Sequence, residues 1–545
     1  MYIPKYWKNV RTFTVFLLLF IFVRLPFIAS PFCLNPDEAE LIATGKRAMF
    51  SIVPYRSFST STSGVWWPTI LGLLGRIGFP LNLKGAHLLS AILGAAVCYC
   101  VFVILKRIAS LRNSWLIALL VAVPWASGFS LFSSHYVNDF SGLATELLPL
   151  TFLAICVVLY KTADSRISRY YLALVFSGLA IFSKYQLLLV GLFTAGYIIF
   201  ELMKSTRTII KVLLISLAAV LGPTLLAFLL AAIFNDSSYT YKEPFYLLID
   251  YLRVRSVTGE EIPLLSRVNS FVANMWALPS ILLATVLVTV GGDSPYKSKQ
   301  SIGSVLIKWS KTCLGFTIAI LSIMIPGIGI AHYLHLLIAG LLITLLVTES
   351  PKNELSNLNT PASGSFVLFL VGVLSMATFA NQIFGTESFW NTLKNAASLN
   401  SVHVSLESTP NRSDEIIPQL CPEGSEVLVW GWSADFYSYF NWIPATRYTI
   451  QAGMITGSSQ PWNSQFRDMR KQLTEELMSN RPRCIVNAVG SGFFPYVFLE
   501  PQKIQNQLTG VADFLRDNYE KHEIPTIAVS TYIHRQDFIE IHVLK

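Results

Sequence analysis

The sequence predicts an α-helical polytopic membrane protein of about eleven transmembrane helices, closed by an extracytoplasmic α/β domain. Three observations carry that expectation. Hydrophobic residues fill 53% of the 545 positions and charged residues only 13%, too apolar a balance for an ordinary soluble chain. The apolar residues fall in blocks of about 20, enough to cross a bilayer, with short basic or polar loops between them. Beyond residue 385 the character changes to mixed polar and apolar, with strand and helix periods side by side. The expected division is therefore 1–384 for the membrane part and 385–545 for the α/β domain.

The first span, Phe13 to Ile28, has no small-residue cleavage site after it and stays as a membrane helix. Lys5, Lys8 and Arg11 precede it, which sets the N-terminus in the cytoplasm and brings Asp37 and Glu38 out on the other side. From Leu34 to Lys84 there is no clean span, only the amphipathic pieces Leu41 to Phe50 and Trp66 to Ile77, suited to the membrane surface. Spans follow at His87 to Leu105, Trp115 to Phe132 and Leu143 to Tyr160. Tyr170 to Phe200 is interrupted by Ser183-Lys184 and reads as two short helices turning there. Val212 to Phe234 is the seventh span, followed by an outer segment, Asn235 to Asn269. Val272 to Val290 ends in a basic loop, Lys297 to Lys311. Cys313 to Ile325 and Tyr333 to Val347 flank a kink at Pro326-Gly327, and Phe366 to Phe384 is the last span. An odd number of crossings leaves the C-terminus outside. A net charge of +9 does not point to nucleic acid, because the basic residues sit mainly in loops, where they orient the protein.

In the C-terminal part, Glu426 to Trp432 and Arg483 to Val489 read as buried strands and Gln465 to Asn480 and Gln502 to His522 as helices. Ile527 to Tyr532 and Phe538 to Leu544 read as a closing hairpin. The seven cysteines lack zinc-site spacing. Cys98, Cys100, Cys156 and Cys313 fall in apolar blocks as packing residues, while Cys421 and Cys484 are free to pair in an oxidising compartment.

The candidate chemistry begins at Asn35-Pro36-Asp37-Glu38. The stretch is a helix start, with Asn35 as N-cap, Pro36 in the first helical position and Glu38 closing a capping box. It also sets two carboxylates at the outer membrane face. Glu146 lies in a stretch otherwise almost free of charge, where an acid is a functional candidate by default and a helix-packing hydrogen bond is the plainer alternative. Asp139, seven residues earlier, shares the Glu146 helix face if the helix begins that early, and reads equally as a loop residue or an N-cap. Lys184 is the second charge within an apolar block, either a cation that snorkels to the headgroups or one that meets a phosphate. His332, Tyr333 and His335 would gather at the outer end of a span, as donors to an anionic headgroup or as interfacial packing. Lys84 and His87 add donors on the same side. Carboxylates beside cations suit a lipid-linked phosphate-sugar: an acid takes the proton of an acceptor hydroxyl while cations, or a divalent metal held by Asp37 and Glu146, offset charge on the leaving phosphate.

These motifs resemble those of the GT-C glycosyltransferases, in the branch of the protein O-mannosyltransferases and the lipid A aminoarabinose transferases. Asn35-Pro36-Asp37-Glu38-Ala39-Glu40 is similar to that branch's acidic pair after span one, and Gly85 to Ala91 resembles its second span start, with His87 where many relatives have Arg. Thr145-Glu146 is similar to the second acidic position, Ser183-Lys184 to the "TK" step, and His332-Tyr333 to the outer start of a late span. The stretch Val429-Trp430-Gly431-Trp432 resembles the tail domain of many bacterial members, whereas His335 stands where a proline is frequent. The resemblance implies a GT-C-like catalytic domain in the plasma membrane, taking sugar from a polyprenyl-phosphate donor to a lipid, glycan or protein acceptor with inversion. It implies Asp37 as general base, Glu38 and Glu146 as acceptor-orienting or metal-binding groups, and Lys84, His87, Lys184, His332 and Tyr333 as contacts to the lipid phosphate. The alternative is a transporter or lipid flippase using the same charges, disfavoured by the lack of an inverted repeat. A mere membrane anchor for the C-terminal domain would not need so many spans.

Overall fold

Where water is absent a backbone must satisfy its own polar groups, and the apolar blocks among the described residues accordingly fold as helices. The computed structural model describes residues 5–29, 36–59, 64–108, 111–127, 142–163, 166–205, 208–234, 302–324, 335–348, 413–431, 434–449, 463–488, 503–525 and 538–545, with isolated helical positions at 281, 284, 285 and 288. In chain order the first helices are α1 (Lys5–Ala29), α2 (Pro36–Ala48), α3 (Trp66–Arg76), α4 (Leu83–Ile108), α5 (Leu111–Ser127), α6 (Leu147–Lys161) and α7 (Ile167–Ser183). They continue with α8 (Leu188–Ser205), α9 (Ile209–Phe234), α10 (Ile302–Met324) and α11 (Leu337–Val347). Among the described residues α4, α9 and the stretch Tyr185–Lys204 are long and apolar enough to cross a membrane, which makes the chain a multi-pass membrane protein. Along α9, Ile210 is 75% exposed and Leu214 64%, an apolar ridge that hydrocarbon solvates and water would not. The expected spans at 272–290, apart from the isolated positions, and 366–384 lie outside the described residues, as do Asp139 and the outer segment 235–269.

Contacts divide the chain into two compact units, one of Met1–Ala29, His87–Leu226 and Ile262–Asn395, the other of Ser30–Ala86, Ala227–Glu261 and Ala396–Lys545. In the first unit, α10 starts at Ile302, so the expected basic loop 297–311 is helix from residue 302 onward. Ile302, Val305, Leu306 and Trp309 recur at helical spacing there, and two lysines did not outweigh that period. The tenth span, expected from Tyr333, becomes helix α11 only at Leu337 and is buried at every residue, a core helix rather than a lipid-facing one. Cys98, Cys100 and Cys156 are buried as expected, but Cys313 is exposed on α10 instead of packed.

The second unit contains a five-stranded sheet of β1 (Glu426–Gly431), β2 (Ile443–Pro444), β3 (Cys484–Ala488), β4 (Tyr519–Pro525) and β5 (Phe538–Leu544) in the order β2-β1-β3-β5-β4. β1 runs parallel to β2 and β3, and β5 antiparallel to β3 and β4. Leu428, Trp430 and Ile485 alternate onto one face and bury against Met469, Leu473 and Leu477 of helix α14 (Asn463–Asn480). Further helices are α12 (Ser413–Leu420), α13 (Asp435–Tyr439), α15 (Ile504–Gln507) and α16 (Val511–Asn518). The expected helix 502–522 is therefore wrong in two places. Gly510, at φ 80°, separates α15 from α16, and Tyr519 to His522 belong to strand β4, whose partner is β5. The polar run Glu520 to Glu523 looked helical by composition, but an edge strand tolerates polar residues and the sheet supplied the hydrogen bonds. The other expected hairpin arm, Ile527 to Tyr532, lies outside the described residues. Cys421 and Cys484 form a disulfide between the end of α12 and the start of β3.

Helices α2 and α3 belong to this second unit. The expected surface piece Leu41 to Phe50 is instead buried from Leu41 through Lys46. A Cβ on Gly45 would stand 2.8 Å from Leu71 Cβ, and one on Gly72 2.7 Å from the Ala48 carbonyl carbon, so α2 and α3 cross at a distance only glycine allows.

Two outcomes follow from the second unit. The disulfide closes a separation of 63 residues. In the full-length protein, replacing both cysteines by serine destabilises this unit by about 4 kcal/mol on loop entropy alone, read as faster amide exchange in β1 and β3. Burial raises the Asp435 carboxyl from 3.8 to about 7. The folded state thus holds that proton longer than the unfolded chain, so its contribution is complete below about pH 4 and is lost as pH rises towards 7. Asp435→Asn removes that slope, which pH-dependent exchange of parent and variant measures.

Candidate functional site

Lys184 stands where an apolar helix stops. Its backbone is extended, at φ −157° and ψ 119°, between α7 and a 3₁₀ turn at Tyr185–Leu187 that leads into α8. Ser177 Oγ donates to the Gly191 carbonyl at 2.9 Å and ties the two helices on either side of the break. The expected pair of short helices is therefore present, with the break at the expected residue. The lysine does not snorkel: it is 1% exposed, and its ammonium donates to Thr145 Oγ1 at 2.5 Å and lies 3.3 Å from Glu146 Oε1.

Glu146 is fully buried. It immediately precedes α6, where the helix N-terminus favours a carboxylate. Thr145 Oγ1 stands 3.3 Å from Glu146 Oε1 and completes a three-residue cluster with Lys184. A buried ion pair adds little net stability, since desolvating both charges offsets their attraction, so its presence asks for another reason. The site also keeps unused capacity. Among the described residues, Glu146 Oε2 and both amide atoms of the buried Gln186, two residues after Lys184, have no hydrogen-bond partner. Buried polar atoms are rarely left so unless water or a ligand completes them.

The acidic stretch lies in the other unit, on α2. Helix formation begins at Pro36, as expected, while Asn35 is outside the described residues. Asp37 and Glu38 occupy the first turn and Lys46 and Arg47 the last, each pair at the helix end whose partial charge favours it. Asp37 is half-buried, Glu38 fully buried and Glu40 5% exposed. Among the remaining expected residues, Lys84 is exposed and His87 fully buried, both in the first turns of α4. His332 and Tyr333 lie outside the described residues. His335 is buried and accepts a hydrogen bond from Trp125 Nε1 at 2.8 Å on Nδ1, so that nitrogen is committed to packing. Among the described residues no three His, Cys, Asp or Glu side chains group as a metal site would require.

One residue escaped the sequence reading. Arg24 in α1 is fully buried and donates to Ser90 Oγ at 2.6 Å and to the Trp125 and Ala126 carbonyls at 3.1 Å. Ser90 Oγ in turn donates to the Gly142 carbonyl at 2.9 Å. The available signal was a lone arginine inside the run Phe13 to Ile28.

No protein-family model and no curated protein matches the chain. Among solved structures the chain is similar to ArnT from Cupriavidus metallidurans bound to undecaprenyl phosphate, at 12% identity and a TM-score of 0.44, over 99% of this chain and 98% of that one. A likeness of this degree carries no argument about activity.

Proposed function

We propose that this protein is an integral-membrane glycosyltransferase of GT-C type that moves a sugar from a polyprenyl-phosphate donor to an extracytoplasmic acceptor hydroxyl with inversion. The observation that carries it is the buried Lys184–Glu146 pair at the helix break, with Glu146 Oε2 and the amide of Gln186, two residues on in sequence, lacking a hydrogen-bond partner among the described residues. A lysine held dry at a break between apolar helices suits an anion that arrives on a lipid tail, and Thr145 fixes its ammonium for that purpose. The resemblance of the acidic motif adds the second half: Asp37 takes the proton of the acceptor hydroxyl as its oxygen attacks the anomeric carbon. The sugar–phosphate bond then breaks, and the polyprenyl phosphate leaves with the electron pair, its charge offset by Lys184. Glu38 orients the acceptor and Glu146 holds Lys184; Lys84, His87, His332 and Tyr333 are further contacts to the lipid phosphate. Glu146 Oε1 is already committed to a lysine, so no step is routed through a metal.

Two measurements test this. Membranes supplied with undecaprenyl phosphate carrying radiolabelled mannose, glucose or aminoarabinose transfer label to an endogenous acceptor, and Asp37→Asn slows that transfer by about 10²–10⁴-fold, the usual worth of a general base. Transfer at the parent rate in Asp37→Asn sinks the reading, and lipid movement across sealed vesicles retained in that variant favours the flippase. For the ion pair, Lys184→Met strands a buried carboxylate and costs about 3–5 kcal/mol of stability. The double variant with Glu146→Gln regains most of that stability in thermal unfolding yet stays inactive; regained activity assigns the pair to structure alone.

A further inference from the structure

Helix α2 is held at the end opposite its acids. Lys46, 7% exposed, donates to the Tyr437 carbonyl at 3.0 Å, Asn441 Oδ1 at 2.8 Å and the Trp442 carbonyl at 3.1 Å. Those three acceptors account for all three ammonium protons, and all lie close to 400 residues further along the chain. Asn441 sits at φ 50°, a left-handed conformation asparagine adopts more readily than most residues. Burial draws the Lys46 ammonium down to about 8, so the contact is made against a desolvation cost that an apolar side chain would not incur.

The segment after α2 is held by the same region. Arg447, 6% exposed, donates from Nη1 to the Tyr55 carbonyl at 2.6 Å, and its own carbonyl accepts from Ser59 N at 2.9 Å. Tyr55 is buried at φ 61°, a strained conformation for an aromatic residue that persists only where the surroundings impose it. Arg47 Nε reaches the Ser57 carbonyl at 3.1 Å. Three arginine or lysine side chains thus fix one stretch, 46–59, and the acceptors or donors for two of them lie in 437–447.

We propose that segment 437–447 of the C-terminal part is a positioning clamp for the acidic helix, with Lys46 and Arg447 as positioning residues that set where Asp37 and Glu38 stand. A helix is stiff over the roughly 14 Å from Asp37 to Lys46, so displacement at one end moves the other. Misplacing a reacting group by about 1 Å costs up to a hundredfold in rate without loss of binding. The catalytic half of the proposal rests on the role of Asp37 given above; the anchorage does not.

The test uses the full-length protein in lipid nanodiscs, with amide exchange over 36–59 and steady-state transfer from the undecaprenyl-phosphate sugar active in the membrane assay. Lys46→Met and Asn441→Gly, which removes the Oδ1 acceptor together with the Nδ2 donor to the Glu423 carboxylate, are expected to speed exchange and to lower kcat about tenfold or more, with KM for the donor unchanged. Glu423→Ala removes the Asn441 Nδ2 contact alone, leaves all three Lys46 acceptors in place and is expected at the parent value on both readouts; if Lys46→Met fails to fold, Asn441→Gly against Glu423→Ala decides. Unchanged exchange in both disrupting variants overturns the clamp. Faster exchange at an unchanged kcat, with Asp37→Asn inactive, overturns the positioning role while leaving the transferase reading in place. Full transfer by Asp37→Asn removes that reading and the positioning role together, and exchange still reports the anchorage.

Discussion

A buried cation must find oxygen, and the places where helices end are where spare oxygen is found. Arg24 donates to the carbonyls of Trp125 and Ala126 in the last turn of α5. Lys46 donates to the carbonyl of Tyr437 in the last turn of α13 and to that of Trp442 just beyond. Both use carbonyls that a helix leaves without intrahelical partners, a favourable position for positive charge. In so apolar a chain these contacts fix orientation more sharply than packing alone, because a displaced cation would lose several oriented bonds at once.

Lys184 is the exception. Its ammonium meets a hydroxyl and a carboxylate at the start of another helix. A device for stability alone would have been better made from apolar side chains, given what it costs to dehydrate both ions. Together with the Glu146 oxygen and Gln186 amide that have no partner among the described residues, this sets the break between α7 and α8 apart from the structural contacts around it.

The acidic helix illustrates how tertiary context overrides a local pattern. By composition α2 is polar enough for a membrane surface, yet Glu38 to Lys46 are buried, with charged groups among them. The crossing at Gly45 and Gly72 and the contacts of Lys46 together explain how a helix of that composition is enclosed. The same override appears at β4, where a charged run that favours helix in isolation becomes the edge of a sheet.

Features written in local chemistry were legible from the residues alone. The helices came from apolar block length, the start of α2 from Pro36, the break at Ser183-Lys184 from a polar pair in an apolar run, and strands β1 and β3 from short buried segments. Each depends on residues within a few positions of one another. The pairing of Lys184 with Glu146, the disulfide of Cys421 with Cys484, the partner of β5 and the anchorage of Lys46 were decided only in the tertiary structure. Those contacts join residues far apart in the chain, and one sequence carries no measure of distance between them. Arg24 stands between the two cases: its presence in an apolar run was plain, while the carbonyls that make it a structural cation became visible only once α1 and α5 were folded together.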